Sequence, residues 1–277
     1  MATKRPPSKK RDPLAAACAL ARAGKTDEAI AALSPLADEG SVPAAYALLE
    51  LRAFRGKWDD VLALARRVVA DPDALRTSNT VDDTVRLIGA AGRASRRWAE
   101  VEAVAEVGLQ AARRDGDQVR ETVFGNLVKY ARREGAAPHE LVMLFGDNDQ
   151  PPRTRAQYDV AVEKSRQNKR KPDDLARHQF ALAVVYQQPD EIVRLFDANE
   201  KLMSFANAVD AARVLVDRHQ PDRAFTILAE RLGQWFPVEQ VQVAPVVLLV
   251  DERLGTLMNP KRCAAVLSTP RGPEATQ

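Results

Sequence analysis

Apolar positions along the chain recur at three- and four-residue steps and seldom at two. Between residues 58 and 69, Val61, Leu62, Ala65, Val68 and Val69 form one stripe while Asp60, Arg66 and Arg67 point away. Between 98 and 109, Val101, Val104, Ala105 and Gly108 repeat the pattern, and small residues at such positions let neighbouring helices approach closely. The valine-rich stretch Val241 to Val250 comes nearest to period two. Pro245 can open a helix there, however, and Val246, Leu249, Val250, Leu254 and Leu257 share one helical face, so the pattern predicts helix here too. Asn259-Pro260 then predicts a last helix running through Leu267.

Six short segments open these helices in a common register. They begin at Thr26, Trp58, Trp98, Pro138, Pro189 and Pro221, mostly with acidic residues in the first turn. Acidic side chains there complement the positive end of the helix dipole, and proline costs no hydrogen bond. A break precedes each, often with glycine (Gly24, Gly56, Gly135), and successive openings are 32, 40, 40, 51 and 32 residues apart. Periods in that range indicate stacked helical hairpins. The chain divides into a basic, disordered tail (1–12), an N-terminal helical array (13–145), a loop (146–157), a C-terminal array with capping helices (158–268) and a disordered tail (269–277). Asp12-Pro13 reads as an N-cap with proline at the first helical position, so the alanine-rich run after it reads as a structural helix rather than a secretory leader.

Two of these turns, Gly24-Lys-Thr-Asp-Glu-Ala29 and Gly56-Lys-Trp58, resemble the inter-helix turn of tetratricopeptide (TPR) repeats. Trp98 supplies the large residue of a third unit, Gly89 the small residue of its first helix, and Pro72 lies near the proline that closes a unit. Leu249 to Leu267 is similar to the closing segment of many bacterial TPR arrays. The resemblance spans roughly 13–267 with degenerate motifs: most consensus aromatics are missing and the spacing departs from the family's period. It implies an all-α fold, an α-solenoid of about six or seven antiparallel helix hairpins wound as a right-handed superhelix.

Charge changes the picture only at the amino end. The chain carries 41 basic and 38 acidic residues, yet Lys4, Arg5, Lys9, Lys10 and Arg11 concentrate the excess in the tail, leaving 36 basic and 37 acidic residues beyond Asp12. A nearly neutral body argues against a dedicated nucleic-acid-binding face. Cys18 and Cys263, far apart, build neither a disulfide framework nor a zinc knuckle, which points to a reducing, cytoplasmic setting. The longest apolar run, Val243 to Val250, is far shorter than the ~20 residues of a membrane span.

Chemistry-bearing motifs are weak. Ala19 to Thr26 nearly matches a phosphate-binding loop, but Ala19 replaces its first glycine and a helix precedes it. His139-Glu140 opens like a zincin motif, with Met143 where the second histidine belongs. Gly89-Ala-Ala-Gly92 has the form of a KH-domain loop, but its helical flanks make it a close helix contact. No catalytic, metal or cofactor residue is expected, and the chain reads as a non-enzyme. Arg113-Arg114 and Arg132-Arg133 close helices where cations complement the dipole. The TPR resemblance implies partner binding by the first helix of each unit, which here selects Tyr46, Glu50, Phe54, Arg86, Arg93, Lys129, Arg132 and Arg133. Such a groove favours another protein, notably an acidic peptide or carboxylate terminus, with Tyr46 and Phe54 as apolar anchors. The expectation is a scaffold or adaptor, with a bacterial regulatory or immunity-type role as one version. The rival is nucleic-acid association through the tail and a track of Arg86, Arg93, Lys129 and Arg132.

Overall fold

The computed structural model describes residues 12–71, 75, 77–136, 154–168 and 170–272. These residues are all-helical, with no strand among them. The α-helices are α1 (Pro13–Arg22), α2 (Thr26–Asp38), α3 (Val42–Phe54), α4 (Trp58–Ala70), α5 (Ser78–Ser95), α6 (Trp98–Asp115), α7 (Gln118–Arg132), α8 (Arg155–Gln167), α9 (Pro172–Val185), α10 (Pro189–Ala198), α11 (Phe205–Asp217), α12 (Pro221–Arg231), α13 (Val247–Val250) and α14 (Pro260–Ser268). From α1 to α7 and from α8 to α12, helices adjacent in the chain pack on one another, as hairpins with short loops do. Among the described residues no helix is long and apolar enough to cross a membrane.

Five of the six expected openings fall on helix starts: Thr26, Trp58, Trp98, Pro189 and Pro221. The sixth, Pro138, lies outside the described residues. The turns before them share one backbone shape. A residue with positive φ comes first: Gly24, Gly56, Arg96, Gln187 or His219. The next residue, the N-cap, has φ between −115° and −87° and ψ between 57° and 84° in all five. At Gly24 the glycine is required twice over, since a Cβ there would lie 2.4 Å from the Ser268 carbonyl oxygen.

The second residue of the following helix carries an aspartate in four of these units, and each pairs with an arginine of the next unit. The pairs are Asp27–Arg55, Asp59–Arg97, Asp190–Arg218 and Asp222–Arg262. α6 has Ala99 at that place, so the series is interrupted between the two halves. Exposed pairs of this kind contribute about 0–1 kcal/mol each, so they set register more than stability.

Stability lies in the apolar stripes. α3 is buried on almost every side, from Ala44 through Leu51 and again at Ala53 and Phe54, because α2 and α4 flank it and the end of the chain covers its remaining face. Gly92 and Gly108 let aromatic rings sit against helix backbone, Trp98 on the first and Phe124 on the second. Of the close helix contact expected at Gly89 to Gly92, the part at Gly92 is observed.

Three expectations at element ends are corrected. The loop assigned to 146–157 gives way to helix at Arg155, because Thr154 and Gln157 form a reciprocal capping box. The helix expected from Val241 forms only over Val247–Val250, and the preceding residues run non-helical. Thr269 to Gly272 is no frayed tail, since Arg271 is fully buried and bonded. Both of the last two segments are held by the N-terminal array, so the division at 146–157 separates arrays that the chain's end reconnects.

Candidate partner-binding groove

The site is built where α1, α3 and α5 meet residues 235–246, the strap. α3 is apolar apart from Glu50 and Arg52, and Glu50 faces the strap. Its Oε2 accepts the backbone N–H of Val243 at 2.7 Å and of Ala244 at 2.9 Å. From α1, the buried Arg22 donates Nη1 to the carbonyls of Gln240 (2.9 Å) and Gln242 (3.3 Å). From α5, Asp83 Oδ2 accepts the side-chain amide of Gln242 at 3.1 Å. Gln242 Oε1 in turn accepts the N–H groups of Val238 and Glu239, folding the strap's entry into a turn. A backbone gripped by side chains has no need of a helix ladder, which is why Val241 to Val246 departs from the helical expectation.

Arg271 secures the strap from behind. Its Nε donates to the Val243 carbonyl at 2.7 Å, and Nη1 donates to the carbonyls of Val266, Leu267 and Thr269 at 3.0–3.1 Å. Its backbone N–H donates to the Arg22 carbonyl at 2.8 Å. Thr26 donates its hydroxyl to the Leu267 carbonyl, tying α14 to the first inter-helix turn.

The electrostatics of this interior are unusual for carboxylates. Burial first, and the neighbouring Asp83 second among the raising influences, push the Glu50 carboxyl up to about 8 against the two backbone donors that favour its charged form. Asp83 is raised to about 7 by burial and by Asp82, with Gln242 and Arg86 opposing. Tyr46, one turn before Glu50, is raised by burial and by Glu50 itself.

The eight residues expected to line a partner groove are divided by the structure. Tyr46, Glu50 and Phe54 do come together, but they are buried beneath the protein's own chain and present no free anchor. Arg86 is half-buried and paired with Asp82 at 2.5 Å. Arg93 is exposed and donates Nη1 to the Tyr130 hydroxyl at 2.8 Å, beside the edge-on packing of Tyr130 against Trp98. Arg132 turns toward α6 and bonds Glu102 and Glu106. Lys129 and Arg133, four residues apart on one face of α7, are exposed. The basic set is thus not one continuous track.

The residues that hold the strap, Arg22, Asp83, Gln242 and Arg271, escaped the sequence reading. A signal existed in the alternation Val238, Val241, Val243 with polar neighbours, and in one carboxylate, Glu50, within the long apolar run of α3.

Cavities are also present outside this site. A cleft of about 690 Å³ lies between the first two inter-helix turns and α14, lined by Phe54, Trp58, Leu249, Met258 and Cys263 with Asp27 and Arg55 at its polar side. Burial raises the Cys263 thiol to about 11, so it is a poor nucleophile. In the C-terminal half, a polar pocket of about 440 Å³ between α8, α9 and α10 holds Arg155, Arg166 and Arg194 with Asp159, Glu163 and Glu191. Gly24 and Lys25, the near-match to a phosphate loop, form the turn between α1 and α2, and His139 lies outside the described residues. Among the described residues, no group of three or more His, Cys, Asp or Glu side chains could hold a metal ion. Compared with family models, curated proteins and solved structures, the chain gives no match.

Proposed function

We propose that the protein is a non-catalytic helical-repeat scaffold, a TPR-like α-solenoid wound as a superhelix, that binds another protein. The observation that carries this reading is the gripping of a non-helical segment by Glu50 and Arg22: α1 and α3 hold polypeptide backbone through carboxyl and guanidinium groups. The five equivalent turns and the Asp–Arg pairs linking successive units support the repeat architecture. The rival nucleic-acid reading is weakened at Arg86 and Arg132, whose charges are already met by Asp82, Glu102 and Glu106.

The test is capture from a lysate of the source organism with the intact protein and with a version lacking residues 1–12, each with and without nuclease. The scaffold reading expects one protein retained by both versions and insensitive to nuclease. Material lost with the tail or with nuclease, and steeply weakened by salt, overturns it in favour of nucleic acid.

A further inference from the structure

We propose that the cleft between the first two inter-helix turns and α14 is a binding site for a small amphipathic carboxylate, one anionic head on an apolar tail. Such a site goes beyond the scaffold reading and does not depend on it.

Three observations carry it. First, the cleft has the size and lining of a ligand site. Its volume of about 690 Å³ falls within the range of pockets that take small molecules. Its apolar walls come from remote parts of the chain: Trp58 at the start of α4, Leu249 and Met258 beyond the strap, and Cys263 and Leu267 on α14. Burial keeps the Cys263 thiol protonated at neutral pH, so it adds a soft apolar surface rather than a charge. Water in such a space finds few polar partners, and an apolar tail displaces it favourably.

Second, the charged side chains of the lining are unbalanced. Among the described residues they are Asp27, Arg55 and Lys57, two cations against one carboxylate. Arg55 is paired with Asp27, which leaves the exposed Lys57 in excess. An anionic head therefore meets complementary charge at this side of the cleft, and a cationic head meets repulsion.

Third, the cleft lies where the end of the chain closes on its beginning. α14 is tied to α12 by the Arg262–Asp222 pair and to the first turn by the bond from Thr26 to the Leu267 carbonyl. Pro260, Ala264 and Ser268, at four-residue steps on α14, form an exposed lip through which a ligand can enter. An occupant touches both turns and α14 at once and so tightens that closure.

Calorimetric titration of the full chain with decanoate and with decyltrimethylammonium, one tail with opposite heads, decides it. Decanoate should bind at a single site, at least about 10-fold more tightly than the cation. Lys57→Glu should weaken decanoate at least about 10-fold and remove that preference. Ala264→Trp, which plugs the exposed lip, should also weaken decanoate at least about 10-fold. No binding of decanoate, equal binding of the two probes, or decanoate binding unchanged in either variant overturns the proposal. Should Ala264→Trp lose its helical circular dichroism, alkylation of Cys263 in the wild type, followed by mass spectrometry, decides in its place. Bound decanoate should slow that alkylation at least about 10-fold, and an unchanged rate overturns the site. The lysate capture tests the scaffold reading separately, so failure of one leaves the other standing.

Discussion

Glu50 on α3 and Glu191 on α10 are both glutamates on helices of equivalent hairpins, and their surroundings drive them in opposite directions. Glu50 is sealed under the strap and burial raises its carboxyl to about 8, although two backbone N–H groups favour its charge. Glu191 lies in an open pocket where Arg194 first, and Arg155 with it, hold its carboxyl below the usual range. Around the strap the polar groups are spent inside, on the chain's own backbone. The pocket between α8, α9 and α10 keeps them at the surface as ion pairs. Burial decides the difference, because the charged form of a carboxylate is costly in the interior and nearly free at a surface with arginine partners. Substitutions of polar residues should therefore cost much more around the strap, Arg271 included, than in the pocket between α8, α9 and α10.

Among substitutions, the largest effect is expected at Arg271→Ala. Removing a fully buried guanidinium orphans carbonyls of Val243, Val266, Leu267 and Thr269 and should cost about 4 kcal/mol in denaturant unfolding. A cost below about 1 kcal/mol means the strap is not seated as described.

Next comes pH. Glu50 and Asp83 have folded values raised to about 8 and about 7, above ordinary carboxyl values, so the native state holds more protons than the unfolded chain between roughly pH 4 and pH 8. Their contribution is most favourable at the acid end of that window and is lost as pH rises through it. The groups facing the pair are Tyr46, Asp82, Arg86, Arg22 and Gln242, of which Asp82 is also raised by burial. Denaturation curves at about pH 5.5 and about pH 8.5, which straddle the two raised values, should show a loss of about 5 kcal/mol, of which Glu50→Gln should remove about 3. A wild-type profile unaffected by Glu50→Gln contradicts the burial of this carboxyl.

Two glycines give the third contrast. Gly92→Ala drives a Cβ to 2.4 Å from the Trp98 ring and should cost about 2 kcal/mol. Gly125→Ala, with nothing within 4 Å on α7, should instead gain about 0.5–1 kcal/mol of helix propensity. Thermal melts of the two variants moving in the same direction break the packing assignment. The smallest effect belongs to Glu191→Gln: its partners are solvent-exposed arginines, so the change in stability should stay below about 1 kcal/mol.

How much of this was legible follows the range of the interactions. The helix starts at Thr26, Trp58, Trp98, Pro189 and Pro221 depend on caps, dipole charges and three- and four-residue periodicity, all local, and they stand where the pattern puts them. The strap depends on contacts across 193 and 194 residues, from Glu50 to Val243 and Ala244, and on 220 from Arg22 to Gln242. No local pattern encodes which distant backbone a carboxylate will hold, so Val241 to Val246 read as helix and Thr269 to Gly272 as a tail. The resemblance selected Tyr46, Glu50 and Phe54 as partner-binding residues, and all three are buried. What it could not supply is that the same chain covers them.

The most direct test of the account is the titration of the Glu50 carboxyl carbon by carbon-13 NMR, assigned through Glu50→Gln. A seated strap gives a midpoint near pH 8, with Asp83 near 7. A midpoint in the ordinary glutamate range, about 4.3, means water reaches Glu50 and the strap does not cover it.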